Sequence, residues 1–135
     1  MKIFLDHIVL NVEDVDLAVK FYQEIIGLKP ERLDEYHKGE APFPSMRINA
    51  DTVVDIFPPH MWLGKETGEE THSNLNHFCL TLDFEDWKAL IERLESYDIK
   101  IHRSSDNNWG AKGVGVSVYF YDVDGNEIEA RYYDR

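Results

Sequence analysis

The chain contains 135 residues, of which 14 are basic and 26 acidic, so its formal net charge is −12. Hydrophobic residues make up 43% and charged residues 30%, which is typical of one globular domain and excludes a disordered chain. Such an acidic surface repels a phosphate backbone, so we expect no nucleic-acid partner. No stretch reaches the ~20 apolar residues that span a bilayer, so we expect no membrane partner.

The N-terminal residues have neither the long apolar segment nor the cleavage site of a signal peptide, and they read as a first strand. The single cysteine, Cys79, excludes an internal disulfide framework and fits a reducing compartment. We therefore expect a cytoplasmic protein.

The two halves of the chain share one pattern of predicted elements, which indicates an internal repeat. Residues 6–10 (DHIVL) and residues 76–80 (NHFCL) each read as a short strand, so His7 and His77 occupy equivalent places. Each strand is followed by a helix and three further strands. We predict an α+β fold in which two βαβββ modules pair into a curved mixed sheet around a cavity. The single domain comprises module 1 at about 1–58, a linker at about 59–74 and module 2 at about 75–135.

The first predicted helix carries one apolar stripe. Asp14 or Asp16 can cap its first turn, and Gly27 can end it. Because the apolar residues recur at helical spacing, we expect this face to be buried against a sheet. The stripe consists of Leu17, Phe21, Ile25 and Leu28.

Three strands are predicted after this helix, near residues 29–35, 45–49 and 52–57. Asp55 lies inside the last of them, in an apolar run where an unpaired carboxylate would be costly. It is therefore either a metal ligand or a hydrogen-bonded group. His60 follows directly and is a candidate acid–base residue.

The second half repeats this order. Asp83 can cap a helix whose apolar stripe is Trp87, Leu90, Ile91 and Leu94. Strands are predicted near residues 99–103, 115–121 and 126–132, and residues 122–125 form a tight hairpin turn between the last two. Residues 110–113 (GAKG) read as a loop before a cavity strand that can close over a ligand.

The last strand carries a polar face. Strand alternation places Glu127, Glu129 and Arg131 on one side. Overlaying the two halves pairs Asp55 with Glu129 at an offset close to that between the two histidines, so Glu129 is preferred and Glu127 is expected to be a solvated acid. We predict that His7, His77 and Glu129 are ligands of one divalent ion. Because the donors are imidazole nitrogens and a carboxylate oxygen, this ion can be Fe, Mn, Co, Ni or Zn.

These motifs resemble the vicinal oxygen chelate superfamily, which includes glyoxalase I, extradiol dioxygenases, fosfomycin-resistance enzymes and bleomycin-resistance proteins. The resemblance rests on four segments, residues 6–10, 21–28, 76–78 and above all 119–129 (YFYDVDGNEIE). It implies two modules paired edge to edge around the metal, with His7, His77 and Glu129 as ligands, in a homodimer. The loop of small and polar residues that fosfomycin enzymes place before the final hairpin is not recognisable here.

The resemblance and the ligand set together favour a metal-dependent lyase or isomerase of glyoxalase type, acting on a small substrate with adjacent oxygens. Its proton-moving group is a carboxylate, Glu129 or Asp55, with His60 as a further candidate. The alternatives are a small extradiol-type dioxygenase and a bleomycin-resistance-like protein that binds a cationic drug in an acidic cleft. Weak substrate contacts are expected from Trp109, Lys112 and Arg131.

Overall fold

The computed structural model describes residues 1–63, 74–121 and 125–134. The chain divides into two compact units, one formed by Ile8–Asn76 and the other by Met1–His7 together with His77–Arg135. The boundary falls inside the first strand, so His7 belongs with the second half of the sequence. Most of the predicted linker, and residues 122–124 of the predicted hairpin turn, lie outside the described residues. The assignment of a single domain stays a prediction.

The unit Ile8–Asn76 contains the second half of the first strand and the elements that follow it, including a short helix inside the predicted linker. The elements are β1 (Phe4–Asn11), α1 (Val15–Phe21) continued by a π-helical turn (Tyr22–Ile26), β2 (Lys29–Glu31), α2 (Leu33–His37), β3 (Ser45–Arg47), β4 (Val53–Phe57) and α3 (Pro59–Trp62). Strands β2, β3 and β4 pair antiparallel in that order, and β1 lies beside β4. The core of this unit consists of Val15, Val19, Met46, Val54 and Ile56.

Helix α1 begins and ends as the sequence predicts. Asp14 is the cap, because its Oδ1 accepts a hydrogen bond from the Leu17 N–H at 3.0 Å, whereas Asp16 contacts His37 at 2.7 Å. Gly27 follows the π-helical turn with φ of 87°, a left-handed conformation that costs glycine least.

The buried face of α1, however, is not the predicted one. Leu17, Phe21 and Ile25 are 66%, 52% and 69% exposed, whereas Val15 and Val19 are buried in the core. The helix carries two apolar stripes, and helical periodicity cannot rank them. The smaller valines face the sheet, so the predicted burial of Leu17, Phe21 and Ile25 was wrong, whereas Leu28 packs against the core as predicted.

This packing can be tested with a matched pair of truncations in α1. Val19→Ala is expected to lower the free energy of unfolding by about 1–3 kcal/mol, because it removes two buried methyl groups and leaves a cavity. Leu17→Ala removes a larger side chain but an exposed one, so a change of about 0.5 kcal/mol or less is expected. Urea unfolding measures both. A larger loss for Leu17→Ala would contradict the assigned face.

The other unit contains the remaining strands and one long helix. The strand order is β1-β5-β8-β7-β6, with β5 parallel to β8 and the β8–β7 and β7–β6 pairs antiparallel. The predicted α+β class with a mixed sheet is therefore confirmed. The further elements are β5 (Leu75–Thr81), α4 (Phe84–Ser96), β6 (Arg103–Gly110), β7 (Gly113–Tyr121) and β8 (Glu127–Tyr132).

Helix α4 matches its prediction. The Asp83 carboxylate accepts a hydrogen bond from the Asp86 N–H at 2.9 Å and so caps the helix. Leu94 is buried, and the Trp87 indole N–H donates to the Ala130 carbonyl of β8 at 2.9 Å. Because this stripe packs on the core beside β8, the helix covers the face of the strand opposite Glu129.

Strand β6 departs from the prediction of a strand at residues 99–103. It runs from Arg103 to Gly110, and the predicted loop at 110–113 is the tight turn between β6 and β7, with Gly110 paired to Gly113. The sequence of β6 is polar and lacks the alternation of apolar and polar residues that predicts a strand. Because β6 lies at the edge of the sheet, it tolerates polar residues on both faces. Within the described residues, no helix is long and apolar enough to cross a membrane.

Candidate metal centre

The three predicted ligands lie on neighbouring strands of one unit. His7 is on β1, His77 on β5 and Glu129 on β8, and these strands are adjacent in the order β1-β5-β8. The parallel pairing sets Cys79 opposite Glu129, so His77 lies two residues before that position. All three side chains are buried, with 1%, 5% and 1% exposure for His7, His77 and Glu129.

Both imidazoles point at one carboxylate oxygen. His7 Nε2 lies 3.1 Å and His77 Nε2 lies 3.0 Å from Glu129 Oε1. The two rings meet edge to face, with centroids 5.6 Å apart. The three donor atoms all lie within 4.8 Å of one another, as the ligands of a single ion must.

The hydrogen bonding of His7 favours a cation at this point. Its Nδ1 lies 2.7 Å from Asp6 Oδ2, and a carboxylate only accepts, so Nδ1 carries the hydrogen. In the neutral ring, Nε2 is then a lone-pair acceptor that faces Glu129 Oε1, another acceptor. Two buried acceptors at 3.1 Å repel unless a proton or a metal cation lies with them. The donor set of two imidazoles and one carboxylate fits a divalent transition metal.

The second oxygen of Glu129 is held by the protein. Its Oε2 accepts hydrogen bonds from Ser117 Oγ at 2.7 Å and from Arg131 Nη2 and Nε at 2.6 and 3.2 Å. Burial alone would raise the pKa of Glu129, but its contacts with the His7 and His77 rings and the charge of Arg131 outweigh burial and hold the pKa well below its usual range. Glu129 is thus a fixed anion with Oε1 aimed at the histidines.

Arg131 differs from its prediction as a substrate contact. Its side chain is fully buried, and besides Glu129 it donates to the backbone carbonyls of Asn108, Trp109 and Gly113 at 3.2, 3.1 and 3.5 Å. These bonds use all five guanidinium N–H groups. No donor is left for a substrate, so the structure contradicts that role. Strand alternation places Arg131 and Glu129 on the same face of the last strand, and this pattern could have predicted an ion pair between them.

Asp6 belongs to the site although the sequence did not single it out. Its Oδ2 accepts from His7 Nδ1 and from the Ala111 N–H at 3.0 Å, and its Oδ1 accepts from the Tyr133 hydroxyl at 2.6 Å. Burial would raise its pKa, but the contacts with His7 and Tyr133 lower it overall. The sequence feature that could have identified Asp6 is its position directly before His7, a candidate ligand, in a strand.

A second cluster, Asp6, His7 and Cys79, also has three donor atoms within 4.8 Å of one another. It is less suited to a metal. Burial raises the pKa of the Cys79 thiol to about 12, which disfavours the thiolate that binds metals. The Asp6 carboxylate already accepts three hydrogen bonds. Among the described residues, His7, His77 and Glu129 are therefore the better group.

Asp55 and His60 lie in the other unit. Asp55 is buried, and its carboxylate accepts a hydrogen bond from Ser45 Oγ at 2.5 Å, while Arg32 Nη2 donates to the same hydroxyl. A hydrogen-bonded role for Asp55 is thus observed, and its role as a fourth ligand stays a prediction. His60 is exposed on α3 and borders a cavity of about 450 Å³ together with His37.

Glu127 is not the solvated acid expected. Its side chain is 18% exposed, and it contacts His102 Nε2 at 2.8 Å. Trp109 is 42% exposed on β6. Lys112 is exposed in the β6–β7 turn and borders a cavity of about 440 Å³ with Lys2 and Tyr133.

Comparison with known proteins agrees with this architecture. Residues 4–130 match the family model of the Glyoxalase/Bleomycin resistance protein/Dioxygenase superfamily. Fosfomycin resistance protein FosX of Listeria innocua is 27% identical over 126 residues, covering 93% of this chain and 86% of that protein. Glutathione transferase FosA of Serratia marcescens is 24% identical over 131 residues, covering 93% and 77%.

Among solved structures, the hypothetical protein BH1468 of Bacillus halodurans has the same fold. Its TM-score is 0.66 at 14% sequence identity, with 100% of this chain and 97% of that chain covered. The family match spans nearly the whole sequence and includes all three clustered residues, His7, His77 and Glu129. The chain therefore belongs to the Glyoxalase/Bleomycin resistance protein/Dioxygenase superfamily.

Proposed function

We propose that this protein is a divalent-metal-dependent enzyme that acts on a small substrate with two adjacent oxygen atoms, as a glyoxalase-type lyase or isomerase. His7, His77 and Glu129 are the proposed ligands, and the ion is one of Zn, Ni, Mn, Co or Fe. The observation that carries the proposal is the convergence of His7 Nε2 and His77 Nε2 on Glu129 Oε1 in a buried site. Three protein ligands leave positions for substrate oxygens.

The proposal assigns the ligand, proton-transfer and substrate-contact roles to residues of the chain. A bound divalent ion supplies Lewis-acid polarisation of a substrate oxygen. Glu129 is proposed as a ligand and stays a candidate for the proton-moving group. Asp55 and His60, which belong to the other compact unit, are the further candidates. Trp109 and Lys112 are proposed substrate contacts, since both are exposed on the unit that holds the three ligands.

Metal content and turnover test the proposal. Protein purified without chelators is expected to carry close to one divalent ion per chain, measured by plasma mass spectrometry. Each ion of the series, restored to metal-free protein, is then assayed for loss of the hemithioacetal of methylglyoxal. A chain that takes up no ion under any of these conditions overturns the metal-dependent reading. A metal-loaded chain that turns over other vicinal-oxygen substrates but no hemithioacetal overturns the glyoxalase assignment alone.

A second candidate is action on fosfomycin, favoured by the fosfomycin resistance protein of Listeria innocua named above, which matches over 93% of this chain. Consumption of fosfomycin by the metal-loaded protein, with and without glutathione, measures it. Oxygen uptake with catechols detects the dioxygenase alternative. A metal-free protein that binds bleomycin tightly supports the drug-binding alternative.

We also propose a homodimer, as the family resemblance implies, and a cytoplasmic location, which the single cysteine, Cys79, favours. Analytical ultracentrifugation of the full chain gives its mass in solution, and a monomer at all concentrations contradicts the dimer.

A further inference from the structure

The β6–β7 turn, residues 110–113, contacts the residues that hold two of the three proposed ligands. The Ala111 N–H donates to Asp6 Oδ2 at 3.0 Å, and the Lys112 N–H donates to the Tyr133 hydroxyl at 3.1 Å. The Tyr133 hydroxyl in turn donates to Asp6 Oδ1 at 2.6 Å. Asp6 thus has both carboxylate oxygens fixed from outside the metal centre, and its remaining hydrogen bond is to His7.

We propose that Asp6 is a positioning residue that, held by the β6–β7 turn and Tyr133, orients the His7 imidazole so that Nε2 faces the metal. This inference rests on the proposed metal-dependent function. It assigns a role to the turn, which the sequence had suggested only as a loop closing over a ligand. Lys112 then contributes to the site through its backbone N–H, which donates to Tyr133.

The geometry gives Asp6 two effects on His7. The contact of 2.7 Å between Asp6 Oδ2 and His7 Nδ1 selects the tautomer with the hydrogen on Nδ1, which leaves the Nε2 lone pair for a metal. The negative charge also makes the ring a stronger donor to the ion. Removing such an outer carboxylate typically weakens metal binding by about 10–100-fold.

The same turn holds the Glu129 side of the centre. Its Gly113 carbonyl, with the carbonyls of Asn108 and Trp109 just before the turn, accepts hydrogen bonds from Arg131, which holds Glu129 Oε2. Gly110 permits this arrangement, because a Cβ there would overlap Arg131 Nη1 and lie 2.5 Å from the Tyr133 hydroxyl. One turn therefore supports the neighbours of both His7 and Glu129.

The Asp6 carboxylate acts on His7 directly. Its Oδ2 lies 2.7 Å from His7 Nδ1. We therefore expect the loss of the Asp6 charge to act on metal binding through His7.

The test uses Co²⁺ as the probe in the full-length chain. Asp6→Asn keeps the shape of the side chain and removes its charge, and it is expected to weaken Co²⁺ binding by about 10–100-fold in a chelator competition. The visible absorption of the Co²⁺ form is also expected to shift, which a loss of stability alone does not cause. Tyr133→Phe removes one support of Asp6 and leaves all charges, so a smaller loss, up to about 10-fold, is expected.

A control separates positioning from general damage. Asp16→Asn removes an equally short carboxylate–imidazole contact, with His37 at 2.7 Å, on the other unit and is expected to leave Co²⁺ affinity unchanged. Wild-type affinity and spectrum in both Asp6→Asn and Tyr133→Phe would overturn the positioning role. If Asp6→Asn does not fold, the Tyr133→Phe result decides. A wild-type chain that binds neither Co²⁺ nor any other ion of the series overturns the proposed function, and the inference with it.

Discussion

Glu129→Gln is expected to lower the affinity of the protein for a divalent metal by about 100-fold or more. The substitution keeps the side-chain length but removes the only proposed anionic ligand, whose Oε1 lies about equally far from His7 Nε2 and His77 Nε2 at 3.1 and 3.0 Å. A charge that binds the ion directly contributes more than the ~10–100-fold typical of groups that only hydrogen-bond to a ligand. Competition with a chromophoric chelator, using Zn²⁺ and Co²⁺ separately, measures the loss.

The matched control is Glu127→Gln, the same change on the same strand and the same face, two residues earlier. Glu127 contacts His102 at 2.8 Å and is not part of the cluster of metal-binding groups. Its Oε1 lies 3.9 Å from His77 Nδ1, beyond hydrogen-bond distance, so the affinity is expected to stay within a few-fold of wild type. Equal losses of affinity in the two variants would show that the overall negative charge of the protein attracts the metal, and not Glu129 as a specific ligand. A large loss of affinity in Glu127→Gln alone would indicate that Glu127, and not Glu129, is the carboxylate ligand.

Arg131→Met is expected to lower the free energy of unfolding of the metal-free protein by about 3–5 kcal/mol. The guanidinium is fully buried and neutralises Glu129, so its removal leaves a buried carboxylate with only Ser117 on Oε2. It also leaves backbone carbonyls at Asn108 and Trp109 without their donor. Chemical denaturation with fluorescence detection gives the difference.

Arg103→Met is the control for this loss. Arg103 is 54% exposed, pairs with Glu127 at 3.5 Å and lies over the Tyr119 ring at 3.8 Å, so a loss of about 1 kcal/mol or less is expected. Arg131→Met as mild as this control would contradict the role of the buried ion pair. It would also weaken the argument that Glu129 is kept ionised by the protein.

Local sequence patterns were sufficient for part of this protein. The repeated strand–helix–strand order, the Asp83 cap and the apolar stripe of α4 are local features, because capping and helical periodicity depend on residues a few positions apart. Period-two alternation in β8 likewise placed Glu129 and Arg131 on one face. The equivalent places of His7 and His77 in the repeat were enough to predict that they would meet.

Only the tertiary structure decided the rest. Two stripes of α1 satisfy the same period, and packing chose Val15 and Val19 over the bulkier one. Asp6 meets the β6–β7 turn across 105 residues of sequence, and the backbone carbonyls that accept hydrogen bonds from Arg131 lie on other strands. Whether a buried polar group binds a substrate, a ligand or another side chain depends on which atoms surround it in space. That neighbourhood is built by strand pairing between distant segments, which no local pattern encodes.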